Sequence, residues 1–215
     1  ENSMNSQVGV AETASADDLP EWNLKDLYSG TEAPELTGDL GSAEISANSF
    51  AGTYQGNLAG LSGDEFGKAI QAFEDLSEIL SRIMSYAQLL FAANSEDADV
   101  AAFYQNMNER VTAISTKTIF FELEINRLDD NKIAELLSSP AVLAYKPWLN
   151  AVRVYQPYQL LDDLEKLLHE KSVAGRNAWS RLFDETIAGL RFKLDGMEMT
   201  SSEILTRLSD PKEAN

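Results

Sequence analysis

The only histidine of this 215-residue chain, His169, is followed directly by Glu170. A His-Glu pair opens the H-E-x-x-H pattern, in which two imidazoles one helical turn apart hold zinc and the glutamate stands beside the bound water. The fifth position here is Val173 and the sequence has no Cys, so no ordinary catalytic zinc site can be assembled from these residues. Glu165 precedes His169 by four positions on one helical face, but a useful metal site needs three or four ligands. A hydrogen-bonded structural histidine is the better reading. Further candidates are Arg176 and the aromatic run of Tyr145, Trp148, Tyr155 and Tyr158, interrupted by Pro147 and Pro157. Its phenols either hydrogen-bond a peptide or bury their rings and satisfy their hydroxyls internally. The acidic pairs Asp129-Asp130 and Asp162-Asp163 suggest acid–base work less than helix capping, because each opens a helix where free N–H groups favour an anion.

The elements that must position these groups follow from composition and periodicity. Apolar residues make up 44% of the chain, enough for a sizeable core. A formal net charge of −18, from 35 acidic and 17 basic residues, repels nucleic-acid phosphates and anionic lipid. No apolar run approaches the length of a membrane span, and the N-terminus lacks the regions of a signal peptide. With no Cys, the expectation is a cytoplasmic chain that binds neither nucleic acid nor membrane.

Residues 1–18 are small and polar and read as a disordered tail. Leu19-Pro20-Glu21-Trp22-Asn23-Leu24-Lys25-Asp26-Leu27-Tyr28 reads as an extended arm anchored by Trp22, Leu24, Leu27 and Tyr28. Apolar residues three or four apart predict a helix from Leu36 to Leu58 and a second from a capping box at Ser62-Gly63-Asp64-Glu65 to Ala93. A third, as long, runs from Val100 to Leu128, closing a long antiparallel hairpin with the first helix alongside. Glycines at 52, 56, 60, 63 and 67 read as close helix contacts and a loose turn. Shorter helices follow after Asp129, over 160–170 and over 177–189. Residues 192–199 read as a β-hairpin, because Asp195-Gly196 supplies the positive φ angles of a two-residue turn. A second capping box, Thr200-Ser201-Ser202-Glu203, opens another helix, and Asp210-Pro211 begins one more. The fold class is all-α: long antiparallel helical hairpins plus shorter helices and one small β-hairpin. The start of a helix so near the last residue reads as a truncation.

Two stretches carry a resemblance. The arm at 19–28 looks like the first ordered residues of oligoendopeptidase F-type zinc metallopeptidases, relatives of thimet oligopeptidase. Leu167-Leu168-His169-Glu170-Lys171-Ser172 and Leu182-Phe183-Asp184-Glu185-Thr186 are similar to the segment where that family leaves its N-terminal helical domain. Ser85-Tyr86-Ala87 and Phe103-Tyr104-Gln105 fit the same alignment, which covers residues 19–215. The resemblance implies a helical domain over 19–190 that forms the wall or lid of a channel in which oligopeptides are cut. Residues 191–215 would lead into a catalytic domain that this chain lacks. It implies zinc in the full-length parent and none on this chain, which by itself is inactive. Its partners would be that C-terminal catalytic domain and oligopeptide substrates, with the isolated chain able to self-associate on an apolar face near Trp179–Met199. Tyr155, Tyr158, His169 and Arg176 are the residues expected to meet substrate or the catalytic domain. The rival expectation is a free-standing acidic helical module that binds partner helices.

Overall fold

The computed structural model describes residues 22–209. The tail at 1–18, the start of the arm and the helix start at Asp210-Pro211 lie outside the described residues. The described chain is helical apart from one two-stranded antiparallel hairpin, the all-α class expected.

Three helices form the frame. Helix α1 (Pro34–Tyr54) starts on a proline at its first turn and buries Leu36, Leu40, Ala43, Ala47 and Phe50, one per turn. Helix α2 (Gly63–Ala93) begins at the predicted capping box: Glu65 N donates to Ser62 Oγ at 3.3 Å, and Ser62 N donates to Glu65 Oε2 at 2.9 Å. Ser62 Oγ also donates to Glu65 Oε2 at 2.7 Å, and this bond, then the one from Ser62 N, holds the Glu65 carboxyl below its usual range. At 31 residues α2 is about 45 Å long. Asp97, whose carboxylate accepts from Asp99 N and Val100 N, caps α3 (Ala98–Ser115). Both α1 and α3 pack along α2.

The stripe predicted to run unbroken to Leu128 is interrupted after Ser115, and α4 (Phe120–Arg127) is a separate helix. Hydroxyl residues cause a local competition here. Ser115 Oγ and Thr116 Oγ1 donate to Thr112 O at 3.2 and 2.7 Å, and Thr118 Oγ1 donates to Ser115 O at 3.0 Å. Such back-bonding offers carbonyls an alternative to the helical ladder and bends it. The break re-aims α4, so Phe120 and Phe121 enter a second core. Helices α5 (Asp130–Leu137), α6 (Pro140–Leu143) and α7 (Lys146–Arg153) complete this half. As expected, Asp129 caps α5, its carboxylate accepting from Lys132 N at 2.9 Å.

Two of the five spaced glycines account for the fit of α6. A Cβ on Gly63 would lie 2.4 Å from Ser139 Cβ, and one on Gly67 would lie 2.7 Å from Ala141 Cβ. Gly56, at φ 78°, turns the chain after α1.

The apolar interior divides in two. One cluster surrounds Phe121, whose ring centroid is 5.1 Å from those of Phe50 and Phe73, 6.1 Å from Phe66 and 6.2 Å from Trp148. The other joins Leu36, Leu40, Leu76, Ile83 and Met107 with the arm. Tyr28 anchors that arm, edge-on to Tyr86, with its hydroxyl donating to Asp39 at 2.7 Å. Burial, then the Asp39 bond, pushes this phenol up. Trp22, expected as an anchor, is instead 83% exposed.

Beyond α7 come α8 (Asp162–Lys171), a π-turn at Val173–Asn177, α9 (Ala178–Gly189), the strands β1 (Phe192–Leu194) and β2 (Met197–Met199), and α10 (Ser201–Leu208). The hairpin turns at Asp195 (φ 52°) and Gly196 (φ 79°), as the Asp-Gly pair predicts. Thr200 and Glu203 form the expected capping box. The Asp162-Asp163 pair opens a helix, as expected, but stands in the first turn of α8 and makes no capping bond. Leu161 is the residue before the first turn of α8, no side chain caps it, and Asp162 instead pairs with Arg127. No described helix is long and apolar enough to cross a membrane.

Candidate functional site

Where α4 ends, its last carbonyls have no partner within the helix. Side chains from 153–159 supply donors to them. Arg153 Nη1 donates to Ile125 O at 3.0 Å and Leu128 O at 2.9 Å, Gln156 Nε2 to Asn126 O at 2.6 Å, and Gln159 Nε2 to Leu123 O at 3.2 Å. Arg153 also pairs with Asp130 at 2.8 Å. This lacing fixes the short 3-10 turn at Gln156–Tyr158 against α4 and sets Tyr155 and Tyr158 over a recess of about 440 Å³. Glu122, Asn126, Trp148, Gln159 and Glu165 share the lining.

The two tyrosines are 68% and 77% exposed, so internal satisfaction of their hydroxyls does not describe them. Glu122 and Asn126 lie four apart on α4 and so share a face. Glu122 is exposed at its edge of the recess, yet partial desolvation pushes its carboxyl above the usual range. Asn126 is only 6% exposed, and both its Oδ1 and the Oε1 of Gln159 are buried with no hydrogen-bond partner. A buried acceptor left unpaired costs roughly 1–3 kcal/mol, so two in one recess are an unusual concentration of unmet polar groups. Glu165 Oε1 accepts from Leu160 N at 2.8 Å.

The other two residues singled out from the sequence lie elsewhere. His169 is part-buried against α3, its Nε2 2.8 Å from Ser115 Oγ. Desolvation is the main cause that lowers its pKa, opposed by Glu170 and by a bond with the Thr112 backbone. Arg176 is exposed on the π-turn. The structure thus brings Tyr155 and Tyr158 together but adds neither His169 nor Arg176 to their recess. Sequence reading missed Glu122, Asn126 and Gln159. The one signal was a polar pair at i, i+4 between the stripe positions Phe121, Ile125 and Leu128, the only residues there that periodicity singled out.

A second surface begins where the recess ends. Helix α9 is fastened to α3 by polar groups: Asn177 Nδ2 donates to Asn108 Oδ1 at 3.2 Å, Arg181 bonds Gln105, and past its end Arg191 pairs with Glu96. Its apolar side faces outward, with Trp179 71%, Phe183 64% and Leu182 50% exposed. Leu161, just before α8, and Leu164, Leu167 and Leu168 on it are exposed as well. Neither helix has a buried residue. Large apolar side chains exposed in this number on two successive helices are more than the scattered single residues of an ordinary surface.

Zinc does not fit the residues present. Among the described residues no group of three or more His, Cys, Asp or Glu side chains could hold a metal ion, and the sole histidine is engaged with Ser115.

Three comparisons bear on this arrangement. Residues 124–192, from α4 to the start of the hairpin, match the family model of oligopeptidase F. No curated protein sequence matches the chain. The fold matches the crystal structure of oligoendopeptidase-F from Enterococcus faecium with a TM-score of 0.66 and 19% sequence identity, over 84% of this chain and 34% of that one. The chain therefore spans about a third of the length of that relative. In sequence over 124–192 and in fold over most of its length, the chain resembles the N-terminal part of an oligoendopeptidase F-type peptidase.

Proposed function

We propose that this chain is the N-terminal helical part of a zinc metalloendopeptidase that hydrolyses oligopeptides in an enclosed channel, and that it serves as the wall or lid limiting substrate access. The observation that carries this reading is a coincidence of position. The segment matched by the oligopeptidase F family, 124–192, also holds most of the lining of the tyrosine-lined recess, all but Ile119, Glu122 and Leu123, and the outward apolar residues of α8 and α9. A catalytic domain of the same parent would cover that face, burying leucines and aromatics that are exposed here. The gain from such burial is about 25 cal/mol per Å² of apolar surface. The zinc and its chemistry would belong to that domain, and the chain alone would be inactive. The parent would act in the cytoplasm, a reducing compartment that suits a sequence without Cys. Tyr155, Tyr158, His169 and Arg176 would contact substrate or the catalytic domain.

The test is the mass and activity of the native protein, captured from lysate of its source with an antibody raised against this chain. A protein far heavier than 23.7 kDa, cleaving an internally quenched peptide and losing that activity to a chelator until zinc is restored, is the expected result. A native mass equal to that of this chain would overturn it and favour an acidic helical module whose α8–α9 face takes a partner helix.

A further inference from the structure

We propose that the recess between α4 and the 155–159 turn binds a primary ammonium group, the α-amine of a peptide or the side chain of a lysine. The chemistry of the lining selects this ligand. Glu122 and Glu165 supply carboxylates, Asn126 and Gln159 supply buried amide oxygens without partners, and no lining residue is cationic. Acceptors therefore outnumber donors, and an ammonium group is all donor, with three N–H bonds to give. Trp148 and Tyr155, also in the lining, bring aromatic rings that attract a cation. A divalent metal is the poorer fit, because no trio of metal-binding side chains exists among the described residues.

Asn126 is the decisive residue. It is more than nine-tenths buried and its Oδ1 has no partner, a state that persists at a cost unless something at the recess supplies a donor. Both Asn126 and Gln159 line the recess, so a ligand held first at Glu122 meets their buried oxygens through a side-chain rotation. The volume of about 440 Å³ leaves room for the residue that carries the amine. That this residue belongs to a peptide rests on the peptidase reading above; the affinity of the recess for ammonium does not.

The experiment uses the chain with Trp22→Phe and Trp179→Phe, both exposed positions, so that Trp148 alone reports on the recess by fluorescence. Butylammonium is titrated first, with butanol as the neutral control of similar shape. Three short peptides follow: one with a free amino terminus and no lysine, one acetylated with a lysine, and one acetylated without. The expected result is saturable binding of butylammonium, no response to butanol, and binding of the first or second peptide but not the third. Glu122→Gln should weaken the amine at least tenfold, a change of about 1.4 kcal/mol. Affinity should also fall on acidification as the Glu122 carboxylate takes up a proton, the other ionisable groups lining the recess being Glu165, Tyr155 and Tyr158. Equal affinity in Glu122→Gln, or equal response to butanol, overturns the proposal. Because neither readout involves peptide cleavage, the recess and the peptidase reading fail separately. A zinc-dependent parent enzyme whose Glu122→Gln form binds peptide amines unchanged would retire only the recess.

Discussion

Helices α2 and α9 are both amphipathic, yet they use their stripes in opposite ways. In α2 the apolar residues Phe66, Ile70, Leu76 and Ile83 are all 2% exposed or less, and its polar side faces water. In α9 the fastening to α3 is made by Arg181 and by Asn177 just before it, while Trp179 and Phe183 face out. An apolar stripe thus specifies that a helix will be covered, not by what. The 34–153 half finds its cover within the described chain, and the 162–208 half leaves most of its stripe open.

The largest effect that could break this contrast comes from paired truncations. Phe121→Ala should cost about 3–5 kcal/mol in denaturant unfolding, whereas Phe183→Ala in the isolated chain should stay within about 0.5 kcal/mol. A large loss from Phe183→Ala would mean that α9 is already packed in solution, and the open-face account would fail. A step smaller is the glycine pair. Gly67→Ala drives a methyl against Ala141 and should cost about 1–3 kcal/mol. Gly41→Ala on α1, where nothing lies within 4 Å of the added carbon, should stabilise by about 1 kcal/mol through helix propensity. Thermal midpoints moving in opposite directions are the check.

Capping sharpens the comparison further. Ser62→Ala removes the start of α2 and should lower global stability by about 1 kcal/mol. Thr200→Ala removes an equivalent box from α10, but should appear only as lost helicity in circular dichroism with the main transition unmoved, since α10 carries little of the core. A shared shift in both variants would join the two halves into one cooperative unit.

The smallest effects are pH-dependent and differ in sign. Glu122 has a raised pKa because its carboxylate is desolvated. Its favourable contribution is present below the ordinary glutamate range, near 4.3, and is lost as pH rises through the raised value. Glu122→Gln should therefore unfold at a higher temperature than wild type at pH 7–8 and lose that advantage in acid. His169 is lowered by desolvation. Its contribution is present above about 6.5, the ordinary histidine value, and is lost as pH falls through the lowered one. His169→Gln, which can keep a bond to Ser115, should narrow its stability gap to wild type as pH drops below 6. Melting curves of both variants across pH 4–8 separate the two signs.

What the sequence by itself determined were the features fixed by neighbours a few residues away. The Ser62 and Thr200 capping boxes, the Asp195-Gly196 turn, the N-cap at Asp129 and the stripe of α2 all depend on neighbours a turn or so away, and each stands where the residues predict it. Helix α1, by contrast, ends at Tyr54 and leaves the predicted Leu58 to a separate 3-10 turn beyond Gly56. Only the tertiary structure decided the rest. The break after Ser115 lies inside a continuous apolar period, and hydroxyl back-bonding, not periodicity, sets it. The recess draws Glu122 and Asn126 from α4, Trp148 from α7 and Glu165 from α8. Those residues converge because Arg153, Gln156 and Gln159 close the carbonyls at the end of α4, a long-range match of donors to acceptors that no local spacing encodes. The direction in which α9 presents its stripe is decided the same way, by three polar contacts with residues 69 to 95 positions earlier in the chain.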